Sequence, residues 1–113
     1  AFFGIFSMAN AQTPASSQQV RQVEIVTFKP GTSDSSKHMV DKSFREAADA
    51  FSTVKAFEWG WDASNKVQPK HVYVTTFNSK GDLTTYTSSP QHQAVLKSAP
   101  IASVTTVNYS VNQ

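Results

Sequence analysis

Hydrophobic residues in this chain change their spacing along the sequence, and that change constrains the fold more than any other feature. In Val20–Phe28 the chain alternates as a β-strand does, with apolar side chains on both faces, until Lys29, Pro30 and Gly31 end the run. After a capping segment at 32–34, apolar residues recur at helical spacing across 40–54. The folded part therefore begins with a strand, followed by a helix whose apolar stripe faces a sheet.

The second half of the chain predicts three further strands and a second helical region. The strands are expected at 57–62, 71–77 and 103–111. Ser79 with Asp82 resembles a capping box for a short helix, and Pro90 suits the first position of another helical turn. The order β-α-β-β-α-β is the split βαβ, or ferredoxin-like, arrangement. We therefore predict an α+β fold on a four-stranded antiparallel sheet.

Length and composition limit the possible partners. The chain has 113 residues, which is enough for one domain with a modest core. Its 10 Lys and Arg nearly balance its 8 Asp and Glu, and no basic cluster marks a nucleic-acid-binding face. Cysteine is absent, which excludes disulfides and thiolate chemistry. We expect no nucleic-acid partner and no cofactor.

The N-terminal segment differs in composition from the rest. An apolar run ends in Ala9, Asn10 and Ala11, the small-x-small pattern at which signal peptidase cuts. The interpretation is a signal-peptide remnant at 1–11, a polar linker at 12–19 and a domain at 20–113, which predicts a secreted or periplasmic protein. The alternative is an apolar arm that the mature protein keeps. The run is too short to span a bilayer, so no membrane span is expected.

Apolar residues on both faces of the first and third predicted strands indicate that the protein forms oligomers. The helices can cover only one face of the sheet, so the second face is expected to meet another sheet. A homodimer, or a higher oligomer built from it, follows from this pattern.

The segment 86–92 carries the side chains best suited to proton transfer. If Pro90 opens a helix, His92 lies near its start, where the helix dipole disfavours imidazolium and keeps the ring able to accept a proton. Tyr86 could then donate to a developing oxyanion, and the pair would suit enolisation or aldol-type closure of a carbonyl substrate. The structural alternative is that His92 ties a helix start to the backbone while Tyr86 packs in the core.

Four segments carry a resemblance to a known family: VEIVTFKPG at 23–31, FEWGWD at 57–62, HVYVTTF at 71–77 and YTSSPQH at 86–92. Over about residues 20–111 the chain resembles the stress-responsive A/B barrel family, also called Dabb or dimeric α/β barrel domains. The resemblance implies a ferredoxin-like protomer whose sheet joins its partner's sheet in one dimeric barrel.

For members similar to plant polyketide cyclases, the resemblance implies that a Tyr and a His act as acid and base in a pocket between sheet and helices. Tyr86 and His92 match those positions, and His71 matches a further pocket histidine. Glu24 departs from the pattern, because many relatives carry His in the first strand. The predicted ligand-binding residues are Glu24, Val26, Phe28, Phe44, His71 and Tyr73.

Several of these residues have structural alternatives. Glu24 and His71 fall on strands expected to be adjacent, so they predict a buried ion pair, an acid–base couple or a structural hydrogen bond. A metal site built from the three histidines lacks any short ligand spacing. Trp59 and Trp61 share a strand face, which favours dimer or core packing over ligand stacking.

Two functions from different classes follow. The first is a Dabb-type protein that binds a small apolar ligand or takes part in assembly or stress responses without chemistry of its own. The second is a cofactor-free lyase or cyclase with His92 as base and Tyr86 as oxyanion donor. An open pocket lined by Val26, Phe28, Phe44, Tyr73 and His92 would favour the enzyme, and one filled by aromatic side chains would favour the binding protein. A haem monooxygenase and an RNA-binding domain share this topology, but the motifs expected of each are missing.

Overall fold

A computed structural model describes residues 18–62, 64 and 67–112 of the chain. The predicted signal remnant or arm at 1–11, and most of the linker at 12–19, lie outside the described residues. The strands are β1 Val20–Phe28, β2 Val54–Trp61, β3 His71–Phe77 and β4 Ile101–Ser110. The helices are α1 Asp34–Asp49, α2 Lys80–Thr87 and α3 Pro90–Leu96.

All strand pairs are antiparallel, and the sheet order is β2-β3-β1-β4. The ferredoxin-like prediction is confirmed, with α3 as a separate short helix after α2. Both outer strands begin earlier than the sequence predicted. Val54 and Ile101 are drawn into the sheet by pairing with Phe77 and Phe28, respectively.

The helix α1 begins where the capping residues predict. The Ser33 side chain accepts a hydrogen bond from the Ser36 backbone N–H at 3.2 Å. The helix ends at Asp49, so Val54, which continues the helical spacing in the sequence, belongs instead to β2. One face of α1 packs on the sheet through Val40, Asp41, Phe44, Ala47 and Ala48.

The core lies between the helices and one face of the sheet. On β1 the side chains facing it alternate strictly with half-buried ones, from Val20 to Phe28. Phe44, Tyr73, Phe77 and Tyr86 fill the middle of this core. Among the described helices, none is long and apolar enough to cross a membrane.

The opposite face of the sheet carries apolar side chains that the protomer only half covers. Val23 lies beside Val74 on one side and Val107 on the other, and Ile25 lies beside Val72. Val107 keeps 49% of its surface exposed. A row of this kind across three strands is the surface expected to meet a second sheet.

Candidate functional site

His92 is fixed at the start of α3 by local sequence. Pro90 is the first helical residue, and the Ser89 side chain accepts a hydrogen bond from the His92 backbone N–H at 3.1 Å. This cap turns the imidazole into the core, where only 1% of the residue is exposed.

Both ring nitrogens of His92 are held. Nδ1 donates to the Thr87 carbonyl oxygen at 2.9 Å, and Nε2 lies 2.8 Å from Oε2 of Glu24. The carbonyl can only accept, so the proton on Nδ1 follows from chemistry. Burial lowers the pKa of His92, but the hydrogen bond and charge of Glu24, together with the Thr87 carbonyl, outweigh it and raise the pKa.

The helix dipole, which was expected to lower the pKa of His92, is therefore outweighed by the contact with Glu24. A full carboxylate charge at 2.8 Å acts more strongly than the partial charge at the end of a seven-residue helix. The contact with Glu24 therefore stabilises the protonated form of His92 relative to a free imidazole.

The predicted partnership between Glu24 and His71 is also wrong. The pairing of β1 with β3 separates the two residues, because Glu24 lies opposite Tyr73 while His71 lies opposite Val26. Glu24 reaches His92 from α3, and His71 turns to a residue of α1.

That residue is Asp41, which sequence reasoning missed. Its Oδ1 accepts a hydrogen bond from Nδ1 of His71 at 2.7 Å and another from the Tyr73 hydroxyl. Its Oδ2 lies 3.4 Å from Nδ1 of His38, a residue at the surface. Burial and the bond to Asp41 raise the pKa of Tyr73. Its place in the helix could have indicated its burial, because Asp41 falls between Val40 and Phe44 on the buried face of α1.

Tyr86 lies against the ring of His92, with the ring centroids 4.8 Å apart. It is fully buried, and its hydroxyl makes no hydrogen bond of normal geometry to the described residues. Burial, then the Glu24 charge, raise its pKa, and Thr75 acts weakly in the opposite sense. The second carboxylate oxygen of Glu24 and the Thr75 hydroxyl also lack partners there. Buried polar atoms without partners are uncommon and are often found at functional sites.

Aromatic rings occupy the space where the sequence placed a pocket. Phe44 stacks on Tyr73 with centroids 4.0 Å apart, and its ring edge approaches His92. All the predicted lining residues are buried: Val26, Phe28, Phe44, Tyr73 and His92. This region is packed like a core.

Comparison with known proteins settles the family. A model of the stress-responsive A/B barrel domain matches residues 20–111. The chain belongs to this Dabb family. Comparison with curated proteins finds no match.

Solved structures similar to this Dabb domain share its fold. A hydroxynitrile lyase from Passiflora edulis is 19% identical, with a TM-score of 0.74 over 86% of this chain and 96% of the other. A dimeric ferredoxin-like protein of unknown function from Thermobifida fusca is 14% identical, with a TM-score of 0.70 over 83% and 92%. A Dabb family protein from Mesorhizobium loti is 17% identical, with a TM-score of 0.68 over 81% and 95%.

The polar core of this Dabb domain thus consists of two clusters. The Glu24 cluster contains Glu24, Tyr86 and His92, and the Asp41 cluster contains Asp41, His71 and Tyr73. Across the described part of the chain, no three His, Asp or Glu side chains come together to hold a metal ion.

Proposed function

We propose that this Dabb domain is an exported homodimer that binds a small ligand or serves in assembly, and that Tyr86 and His92 stabilise its core without carrying out chemistry. The hydrogen bonding and burial of His92 are the main support for this proposal. Its two nitrogens are engaged by Glu24 and Thr87, and the residue is sealed from solvent. A substrate would have to break the Glu24 pair before it could exchange a proton with this ring.

Two observations support the dimer. Solved relatives are described as dimeric, and the helix-free face of the sheet carries the half-covered Val23, Val74 and Val107. The two sheets would face each other across this row.

A second candidate is a cofactor-free lyase or cyclase acting on an enolisable carbonyl substrate. The unpartnered Tyr86 hydroxyl beside the His92 ring favours it, and one structure of the same fold is a hydroxynitrile lyase. His92 would take the proton at Nε2 after release from Glu24, and Tyr86 would donate to the oxyanion.

The variants His92→Ala and Tyr86→Phe separate the two functions. In a binding protein, His92→Ala lowers the melting temperature because it strips the partner from Glu24, and Tyr86→Phe is neutral or stabilising because it removes an unpaired buried hydroxyl. The measurements are thermal melts and turnover of a panel of enolisable carbonyls and cyanohydrins.

The enzyme hypothesis predicts different results in the same assays. The parent would turn over a panel member, His92→Ala would abolish that activity, and Tyr86→Phe would cost about 10²-fold, as for one lost oxyanion donor. Either of those losses in a variant that still folds would overturn the binding proposal.

Export is proposed from the apolar run before Ala9, Asn10 and Ala11. Protein recovered from its native host should then begin at Gln12, as intact-mass analysis would reveal. A native chain that keeps the run would support an assembly arm instead, and deleting the run should then change the oligomeric state.

A further inference from the structure

One charge of each sign lies on the helix-free face of the sheet, the face proposed to meet a second copy. Arg21 is two residues from Val23 on β1, so both side chains point to the same side. Glu58 on β2 pairs with Val74, which in turn pairs with Val23. We infer that, in the dimer, Arg21 of each protomer forms an ion pair with Glu58 of the partner subunit. The inference rests on the proposed dimer and names the contacts that set its alignment.

The surroundings of these two charges are uncharged. Three rows of paired residues cross all four strands on this face, and Arg21 and Glu58 are the charged members of those rows. The other members are Ala56, Thr76 and Tyr109 in the first row, Val23, Val74 and Val107 in the second, and Ile25, Gly60, Val72 and Thr105 in the third. A second sheet that covers this face takes both charges out of water. Because a charge buried without a partner of opposite sign is costly, each of the two needs a counter-charge.

The protomer does not supply that counter-charge. Among the described residues each ion pair involves a histidine, and neither Arg21 nor Glu58 takes part in one. The two residues lie one row and two strands apart, about 10 Å across the sheet. Both line an open hollow of about 280 Å³, whose other lining residues are Ala56, Val74, Thr76 and Tyr109. The charges therefore flank a space that side chains of a partner can enter.

The symmetry of a homodimer matches this arrangement. In a two-fold interface, a contact between two different residues occurs twice, with the roles of the two copies exchanged. One Arg and one Glu on the shared face can therefore satisfy each other across the interface with no charge left over. Hydrophobic contact is non-directional, whereas charge complementarity fixes register. The two reciprocal pairs thus fix how the sheets are aligned.

The test reverses each charge in the full chain and measures the dimer dissociation constant by sedimentation. Arg21→Glu and Glu58→Arg each create two like-charge contacts per dimer, so each should raise the dissociation constant by about 10²-fold or more. An equimolar mixture of the two variants should form a mixed dimer, detected by native mass spectrometry, because one protomer then carries two acidic groups and the other two basic groups at these positions. An ion pair within one protomer could not be restored by mixing, since neither variant chain carries both signs.

The controls are Lys42→Glu and Glu46→Arg, which make the same changes in net charge at exposed positions on α1. Both should keep the parent's dissociation constant, alone and mixed. Glu58 is exposed and Arg21 is half-buried in the protomer, so the reversal variants are expected to fold, as circular dichroism would verify. Glu58→Gln, which removes a charge without adding repulsion, should weaken the dimer less than Glu58→Arg does.

Two results with a dimeric parent would overturn the inference. Reversal variants that dimerise as tightly as the parent would place both charges outside the contact. Variants that dissociate but do not recombine on mixing would show that the charges do not pair between subunits. Failure of the proposed dimer is distinguishable from both, because the parent itself would then sediment as a monomer.

Discussion

Replacing Glu24 by alanine should lower the free energy of unfolding by about 1–3 kcal/mol, because it leaves Nε2 of His92 buried without its hydrogen-bond partner. Urea denaturation followed by circular dichroism measures the loss. The matched control is Glu46→Ala, an exposed position on α1, where the change should stay within about 0.5 kcal/mol. Equal losses in the two variants would show that the pair with His92 contributes nothing specific.

The same pair makes stability depend on pH in a defined direction. The pKa of His92 is raised above its ordinary value of 6.5 in the folded protein. The pair's contribution is therefore fully present below pH 6.5 and is lost as the pH rises through the raised pKa. Glu24→Gln removes the charge that raises the pKa, so stability should fall less over that window. Parallel pH profiles for the two proteins would contradict this account.

Val74→Asp should convert the proposed dimer to monomers at micromolar concentration, as measured by sedimentation. The new carboxylate would lie on the helix-free face of the sheet, beside Val23 and Glu58, in a contact expected to bury about 1,200–2,000 Å² in total. An unpaired charge in such a contact is costly, and Glu58 adds repulsion.

Two further variants test whether the effect comes from loss of the sheet contact and not from unfolding. Val107→Asp changes a residue that is half exposed in the protomer, so the protomer should fold while the dimer dissociates. Met39→Asp, on the helical side of the molecule, should remain dimeric. A dimer that survives both sheet substitutions would place the interface elsewhere.

The sequence determined the elements of this fold because their signals are local. Strict alternation delimits β1 at Val20–Phe28, and the Ser33 and Ser79 caps mark where α1 and α2 begin. Pro90 likewise marks the start of α3. Each of these signals acts through neighbours a few residues away, whereas the early starts of β2 at Val54 and β4 at Ile101 depend on strand pairing.

The partners of the buried charges were decided only by tertiary structure. Glu24 and His92 are 68 residues apart, and Asp41 and His71 are 30 apart. Which carboxylate meets which imidazole depends on strand register and on how α1 and α3 lie across the sheet. Sequence spacing therefore assigned Glu24 to His71 and overlooked Asp41, because a charge on a helix is usually solvated unless packing places a donor beside it.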